Sequence, residues 1–190
     1  MADEYEIKLF KNPSDFEKWL EENHSTMPGI WLKFAKKNSG ETSINYDQAL
    51  DVALCYGWID SQAKALDDKF YLQKFTPRGK RSIWSKVNTE HVARLVQEGR
   101  MRPSGLAQVE LAKADGRWQA AYDSPKNSTP PDEFVTALKK NKKAYGFYQT
   151  LNKSNTYAIT WRLRTAKKPE TVTRRIEAII AMLERGEKFH

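Results

Sequence analysis

Apolar and polar positions alternate in short runs over the first third of the chain and then change to a helical period. Glu6 to Phe10 predicts a short strand. Ser14 and Glu17 have the S-x-x-E spacing of a capping box, and Phe16, Trp19 and Leu20 recur at i, i+3 and i+4, which predicts a helix ending near His24. Pro28-Gly29 breaks the pattern before Ile30-Trp31-Leu32-Lys33-Phe34-Ala35, a strand by its β-branched and aromatic content. A turn at Asn38-Ser39-Gly40 leads to a second helix, capped by Asn45, with Ala49, Leu50, Ala53 and Leu54 inward and Gly57 at its close. Trp58 to Ala65 and Lys69 to Thr76 flank Leu66-Asp67-Asp68 and predict a hairpin. In its second strand Phe70 and Leu72 share one face with Lys74, while Tyr71, Gln73 and Phe75 share the other.

Beyond Thr76-Pro77-Arg78-Gly79-Lys80-Arg81 only helical periods remain. Asn88 is placed to cap a helix carrying Val92, Leu95 and Val96, and Pro103 opens another with Leu106, Val109 and Leu111 inward. Asp123 to Pro131 has the composition of a linker, and Pro131 begins a helix with Phe134, Val135 and Leu138. A long aromatic stretch follows, from Tyr145, Phe147 and Tyr148 to Tyr157, Ile159 and Trp161, interrupted at Asn152-Lys153-Ser154-Asn155. Pro169 to about Gly186 is strongly amphipathic through Val172, Ile176, Ile179, Ile180 and Leu183. The fold class expected is α+β, with a small mixed or antiparallel sheet and two helices in the N-terminal half and an all-helical C-terminal half. The domain expectation is an α+β domain over residues 1–86 and a helical region over 87–190 packed on it, with a linker at 123–131.

Composition narrows the function classes. The chain has 190 residues, and although only 39% of them are hydrophobic, six Trp and eight Phe supply large buried area. A single cysteine, Cys55, excludes an intramolecular disulfide and a cysteine zinc site, and three histidines leave little for a metal cluster, so no metal or cofactor is expected. No apolar run reaches the ~18 residues of a membrane span. The acidic start Met1-Ala2-Asp3-Glu4 is unlike a signal peptide, and a cytoplasmic protein is expected. The net charge of +8 is uneven: up to Pro125 there are 18 basic and 18 acidic residues, and from Lys126 onward 14 and 6. Such a bias favours encounters with polyanions and repels cationic peptides.

Two segments carry candidate chemistry in the N-terminal half. Asp60 follows Trp58 at a helix-to-strand junction, where a poorly solvated carboxylate can act as acid or base; the alternative is a strand-edge Asp bonded to backbone. The stretch Phe75 to Asn88 sets basic groups around a glycine turn ahead of a helix N-terminus, an arrangement suited to phosphate or carboxylate. The site expected there has Arg78, Arg81 and Lys86 as anion contacts and Trp58, Tyr71 and Trp84 as walls. Asp60, Gln73 and Ser85 would orient the ligand, with Ser82 and Asn88 on the same loop. The alternative is a basic crossover loop whose Trp84 plugs the junction between sheet and helices. In the C-terminal half Arg162, Arg164, Lys167, Lys168, Arg174 and Arg175 form a cluster that could neutralise phosphates of a nucleic acid, or a solvated face in which Glu170 pairs with Arg174.

Ala53-Leu54-Cys55-Tyr56-Gly57-Trp58-Ile59-Asp60, Phe75-Thr76-Pro77-Arg78, Ser82-Ile83-Trp84-Ser85-Lys86-Val87-Asn88 and Gly99-Arg100-Met101 before Pro103-Ser104-Gly105 occur in this order. With the later Thr165-Ala166-Lys167-Lys168-Pro169-Glu170-Thr171 and Arg174-Arg175-Ile176, this series resembles the YdeI/OmpD-associated, or bacteriocin-protection, family from about Trp19 to Lys188. The resemblance implies a role in bacterial resistance to bacteriocins or antimicrobial peptides and an association with an outer-membrane porin, but no catalytic residues. The function expected is a stress- or resistance-associated protein that works by binding an anionic ligand or a protein partner. A nucleic-acid-binding protein using the basic C-terminal helices, and an enzyme using Asp60, are the alternatives.

Overall fold

The first helix begins earlier than the capping-box spacing predicts, because Asn12 and not Ser14 supplies the cap: its side chain accepts the Asp15 backbone N–H at 3.0 Å, and Pro13 occupies the first turn. The computed structural model describes residues 5–123, 128–166 and 168–189. Helix α1 (Pro13–Asn23) follows a strand β1 cut down to Ile7–Lys8, and is followed by β2 (Ile30–Ala35) and α2 (Tyr46–Cys55), which carries a complete capping box between Asn45 and Gln48. The hairpin is β3 (Trp58–Ala65) with β4 (Phe70–Pro77). Strand β4 lies between β2 and β3, giving the order β1-β2-β4-β3, with β1 parallel to β2 and the other pairs antiparallel.

Register fixes what each face carries. Ile30 lies opposite Phe75, Leu32 opposite Gln73 and Phe34 opposite Tyr71, and this inner face packs on α1 and α2. Phe16 meets Phe75 edge-on at 5.9 Å and Trp19 meets Trp58 at 5.8 Å. The alternate positions Trp31, Lys33, Phe70, Leu72 and Lys74 therefore share the outer face, joined by Lys64, which pairs with Leu72.

Two further helices complete this core. Helix α3 (Lys86–Gln97) is capped by Ser85, whose Oγ accepts the Asn88 N–H at 3.1 Å, so Asn88 is a first-turn residue and not the cap. Helix α4 (Pro103–Ala114) buries Gly105, Val109 and Ala112, and leaves Leu106 and Leu111 exposed, against the expected inward pair. The stripe turns because Gly105 lies against the Cys55 carbonyl at the end of α2, while Arg102 N–H donates to that same oxygen at 3.0 Å. Trp84, Val92, Leu95, Val109 and Ala112 belong to the same core as the sheet. The chain accordingly divides into a unit ending at Tyr122 and a unit beginning at Asp123, within the expected linker and not at Lys86. Residues 124–127 of that linker, and Lys167, lie outside the described residues.

The second unit contains α5 (Asp132–Lys140), α6 (Lys142–Gln149), α7 (Lys153–Arg164) and α8 (Pro169–Glu184) around Phe134, Leu138, Ala144, Ile159, Leu163, Ile176, Ile179 and Leu183. Asn141 ends α5 and caps α6 by accepting the Ala144 N–H, a break that aromatic spacing alone does not show. Asn152 caps α7, at the interruption the sequence predicts. The class is α+β, as expected.

Helices α2 and α3 are clamped by Asp51, which meets His91 Nδ1 at 2.7 Å and accepts Arg94 Nη2 at 2.6 Å. Burial pushes the Asp51 carboxyl up, but the hydrogen bonds from Arg94 and His91 outweigh it and hold the group below its ordinary 3.8. A carboxyl depressed in the folded state stabilises fully above its unfolded pKa and loses that contribution as pH falls through the folded value. Asp51→Asn is therefore expected to cost about 1–2 kcal/mol near neutral pH, with Arg94's exposure limiting the loss. Urea melts of the two proteins should converge only as pH falls through the folded-state value, which lies below 3.8, and a gap that persists at still lower pH would assign the loss to packing.

Candidate functional site

The residues expected to form one anion pocket are divided among three surroundings. Trp58 is sealed in the core, and its Nε1–H donates to the His24 carbonyl at 3.1 Å. Gln73 is buried on the inner sheet face. Tyr71 stacks on Phe34 at 5.3 Å and borders a cavity of about 370 Å³ whose lining includes Tyr46, Lys36, Lys37 and Glu41. Beside it Asp60 accepts the Tyr46 hydroxyl at 3.0 Å. Burial raises the Asp60 carboxyl, with the Tyr46 hydrogen bond pulling it partly back, and burial together with Asp60 raises Tyr46. The pair ties α2 to β3, and its carboxylate is committed to a hydroxyl.

The third surrounding is the loop between β4 and α3. Arg78 is only 6% exposed and Trp84 2%, and the guanidinium carbon lies 3.5 Å from the indole centroid. Trp84 also packs on Trp118 at 4.9 Å. Arg78 Nη1 donates to the Ile83 carbonyl at 3.2 Å and Arg117 Nη1 to the Ser82 carbonyl at 2.7 Å, so two arginines brace the loop from inside. Ser82 Oγ accepts the Gly79 N–H and Ser85 caps α3. Burial pulls Arg78 down to about 10. Arg81 and Lys86 stay exposed at the surface. The expected convergence of Arg78 and Arg81 with the indole on an open hollow is thus not what this loop builds. Trp84 has the geometry of the plug, since a large indole at a sheet-to-helix junction buries more area than a loop of glycine and lysines can.

A basic aromatic surface does exist, on the outer face of the sheet. Lys33 Nζ stands 3.9 Å from the Phe70 ring centroid, Lys64 Nζ 4.4 Å from that of Trp31, and Lys74 Nζ 4.2 Å from that of Tyr5 and 5.9 Å from that of Trp31. Among the described residues no carboxylate forms an ion pair with Lys33, Lys64 or Lys74, and the outward positions of β2, β3 and β4 carry no acid. Asp67 at the hairpin turn feels Lys33, but its Oδ1 accepts the backbone N–H groups of Lys69 and Phe70, each at 2.8 Å. Leu72 forms an apolar floor at 1% exposure under the lysine stems. One half of this surface is visible in the sequence as Phe70, Leu72 and Lys74 on one face. The other half, Trp31 and Lys33, comes beside it only because β4 inserts next to β2.

Two of the basic groups expected to meet a nucleic acid in the second unit, Arg164 and Arg175, are engaged by its own backbone. Arg164 Nε and Nη2 donate to the Thr129 carbonyl at 3.2 and 3.1 Å, Arg175 Nη1 donates to the Arg162 carbonyl and to Thr165 Oγ1, and Arg162 lies 5.5 Å from the Phe189 centroid. Glu170 and Arg174 do not close to an ion pair, and Lys168 and Arg174 are exposed.

A four-stranded α+β unit followed by a separate unit of helices defines a two-unit protein, and each unit matches a family model. The model described as Domain of unknown function (DUF8412) matches residues 8–108, and that described as Bacteriocin-protection, YdeI or OmpD-Associated matches residues 127–186. The first match spans more than half of the chain, and the chain belongs to the DUF8412 family; the second is a likeness confined to the helical unit. The resemblance expected along the whole chain thus divides, with the motifs from Ala53 to Gly105 in the first match and those from Thr165 to Ile176 in the second. Neither the curated proteins nor the solved structures gave a match.

Proposed function

We propose that the protein works by binding, and that the outer sheet face of its first unit captures a polyanionic partner. One observation carries the reading: three ammonium groups are held over aromatic rings, and among the described residues no carboxylate is paired to any of them. A cation over a ring keeps most of its charge available to an incoming anion, whereas a cation in a salt bridge must first give up its partner. The family description points to bacteriocin protection, and a resistance or stress role in the cytoplasm is part of this proposal. The lysine face suits that role through an anionic cellular partner, since it repels the cationic peptides a bacteriocin-sequestering protein would have to hold.

Binding of medium-chain polyphosphate, followed by tryptophan fluorescence at several salt concentrations, tests the proposal. Affinity should fall linearly in log salt. The triple variant Lys33→Ala, Lys64→Ala, Lys74→Ala should bind at least about tenfold more weakly, and its salt slope should be shallower by roughly 2, at about 0.7 per neutralised contact. Unchanged binding by a correctly folded triple variant would remove the sheet face from consideration.

A further inference from the structure

We infer that the polyanion is a single-stranded nucleic acid, an inference that rests on the binding role of the sheet face. The lysines alone would accept any chain of negative charges. The rings among them are the discriminating feature, because stacking on an aromatic side chain is available to an unpaired base and not to a bare phosphate polymer or to the stacked interior of a duplex.

The register sets the pieces in order. Lys33, Leu72 and Lys64 form one row across β2, β4 and β3, and Trp31 with Lys74 forms the adjacent row, two residues away along the strands. Neighbouring strands lie about 4.8 Å apart, which puts the backbones of Lys33 and Lys64 on the two flanks of an apolar strip roughly 10 Å wide. Trp31 lies at the centre of the surface. It is half-buried, backed by its strand, and shared by the ammonium groups of Lys64 and Lys74. Tyr5 extends the aromatic line beyond Lys74. Phe70 is nearly covered by Lys33 and serves as support.

Binding is then an exchange. As phosphates approach, the Lys64 and Lys74 ammonium groups swing from the indole to the backbone oxygens, and the ring face they vacate accepts a base. Base stacking takes the place of the cation–π interaction on the same ring, so a nucleic-acid strand regains what a polyphosphate forfeits. A duplex, whose bases already stack on each other, meets only the lysines.

The full chain should be titrated by fluorescence anisotropy with three labelled probes of matched charge: a single-stranded oligothymidylate, the corresponding thymidylate–adenylate duplex, and medium-chain polyphosphate. The single strand is expected to bind about tenfold or more tightly than either of the others. Trp31→Ala should bring the ratio of single-strand to polyphosphate affinity down to about one, and Trp31→Phe should retain most of that ratio. Melting curves confirm that each variant is folded. Equal affinity for single strand and polyphosphate, unchanged by Trp31→Ala, would overturn the nucleic-acid assignment and leave the polyanion reading standing. Tighter binding of the duplex would overturn the single-strand assignment. Failure of all three probes to bind would overturn both.

Discussion

Alanine at position 105 is expected to destabilise the first unit by at least about 3 kcal/mol, the upper part of the range for overpacking, because the obstacle is backbone. A Cβ on Gly105 would lie 2.2 Å from the Cys55 carbonyl oxygen, 2.8 Å from its carbon and 2.9 Å from the Leu54 oxygen. Those atoms belong to the last turn of α2, which is itself packed on the sheet, so the clash can be relieved only by moving α4 away. That movement would break the Arg102 N–H bond to Cys55 and open the layer between Val109, Ala112 and the core. A fall in melting temperature of roughly 10 °C is the expected reading by calorimetry. Gly146→Ala, in α6 of the second unit, is the control: beyond its chain neighbours and its own helix backbone nothing lies within 4 Å of the added carbon, and its φ is not positive, so it should be neutral or stabilise by up to about 1 kcal/mol. Wild-type melting of Gly105→Ala would mean that α2 and α4 do not approach as closely as their backbones indicate.

Truncation of Arg78 comes second in size. Arg78→Ala removes the flat group that covers Trp84 and the donor to Ile83, and should cost about 2–4 kcal/mol, the range for emptying a buried site. Arg78→Met keeps the volume and drops the charge. Arg78 Nε and Nη2 have no hydrogen-bond partner among the described residues and burial disfavours the cation, so this variant should lie within about 1 kcal/mol of wild type. Urea melts of the pair separate packing from charge. Equal losses in both would show that the cation itself holds the loop, and no loss in either would leave Arg78 available as a ligand contact. Arg81→Ala, at an exposed position, should leave stability unchanged.

Why the loop misleads at the level of sequence is a matter of direction. Arg78-Gly79-Lys80-Arg81 has the composition of an anion site, but composition does not say which side chains turn inward, and Arg78 turns in while Arg81 turns out. Helical and strand periods are legible because they repeat: Phe16, Trp19 and Leu20 on α1, Ile176, Ile179 and Leu183 on α8, and the alternation along β4 all have the predicted faces. Positions set by a single tertiary contact are not legible. Leu106 and Leu111 fit an inward pattern as well as Val109 does, and only the approach of Gly105 to Cys55 rotates α4 so that both face outward. The outer-face lysine array is intermediate. Its residues sit at alternating positions of three strands, a pattern open to inspection, but the strand order that assembles them depends on β4 crossing back beside β2.

Backbone amide chemical shifts recorded while polyphosphate is added would locate the anion directly. Shifts concentrated at Trp31, Lys33, Lys64, Leu72 and Lys74, with Arg78 to Asn88 and Arg162 to Arg175 still, are the expected outcome. Shifts confined to the helices around Arg162 to Arg175, or to the loop at Arg81, with the strands unmoved, would contradict a binding role for the sheet face.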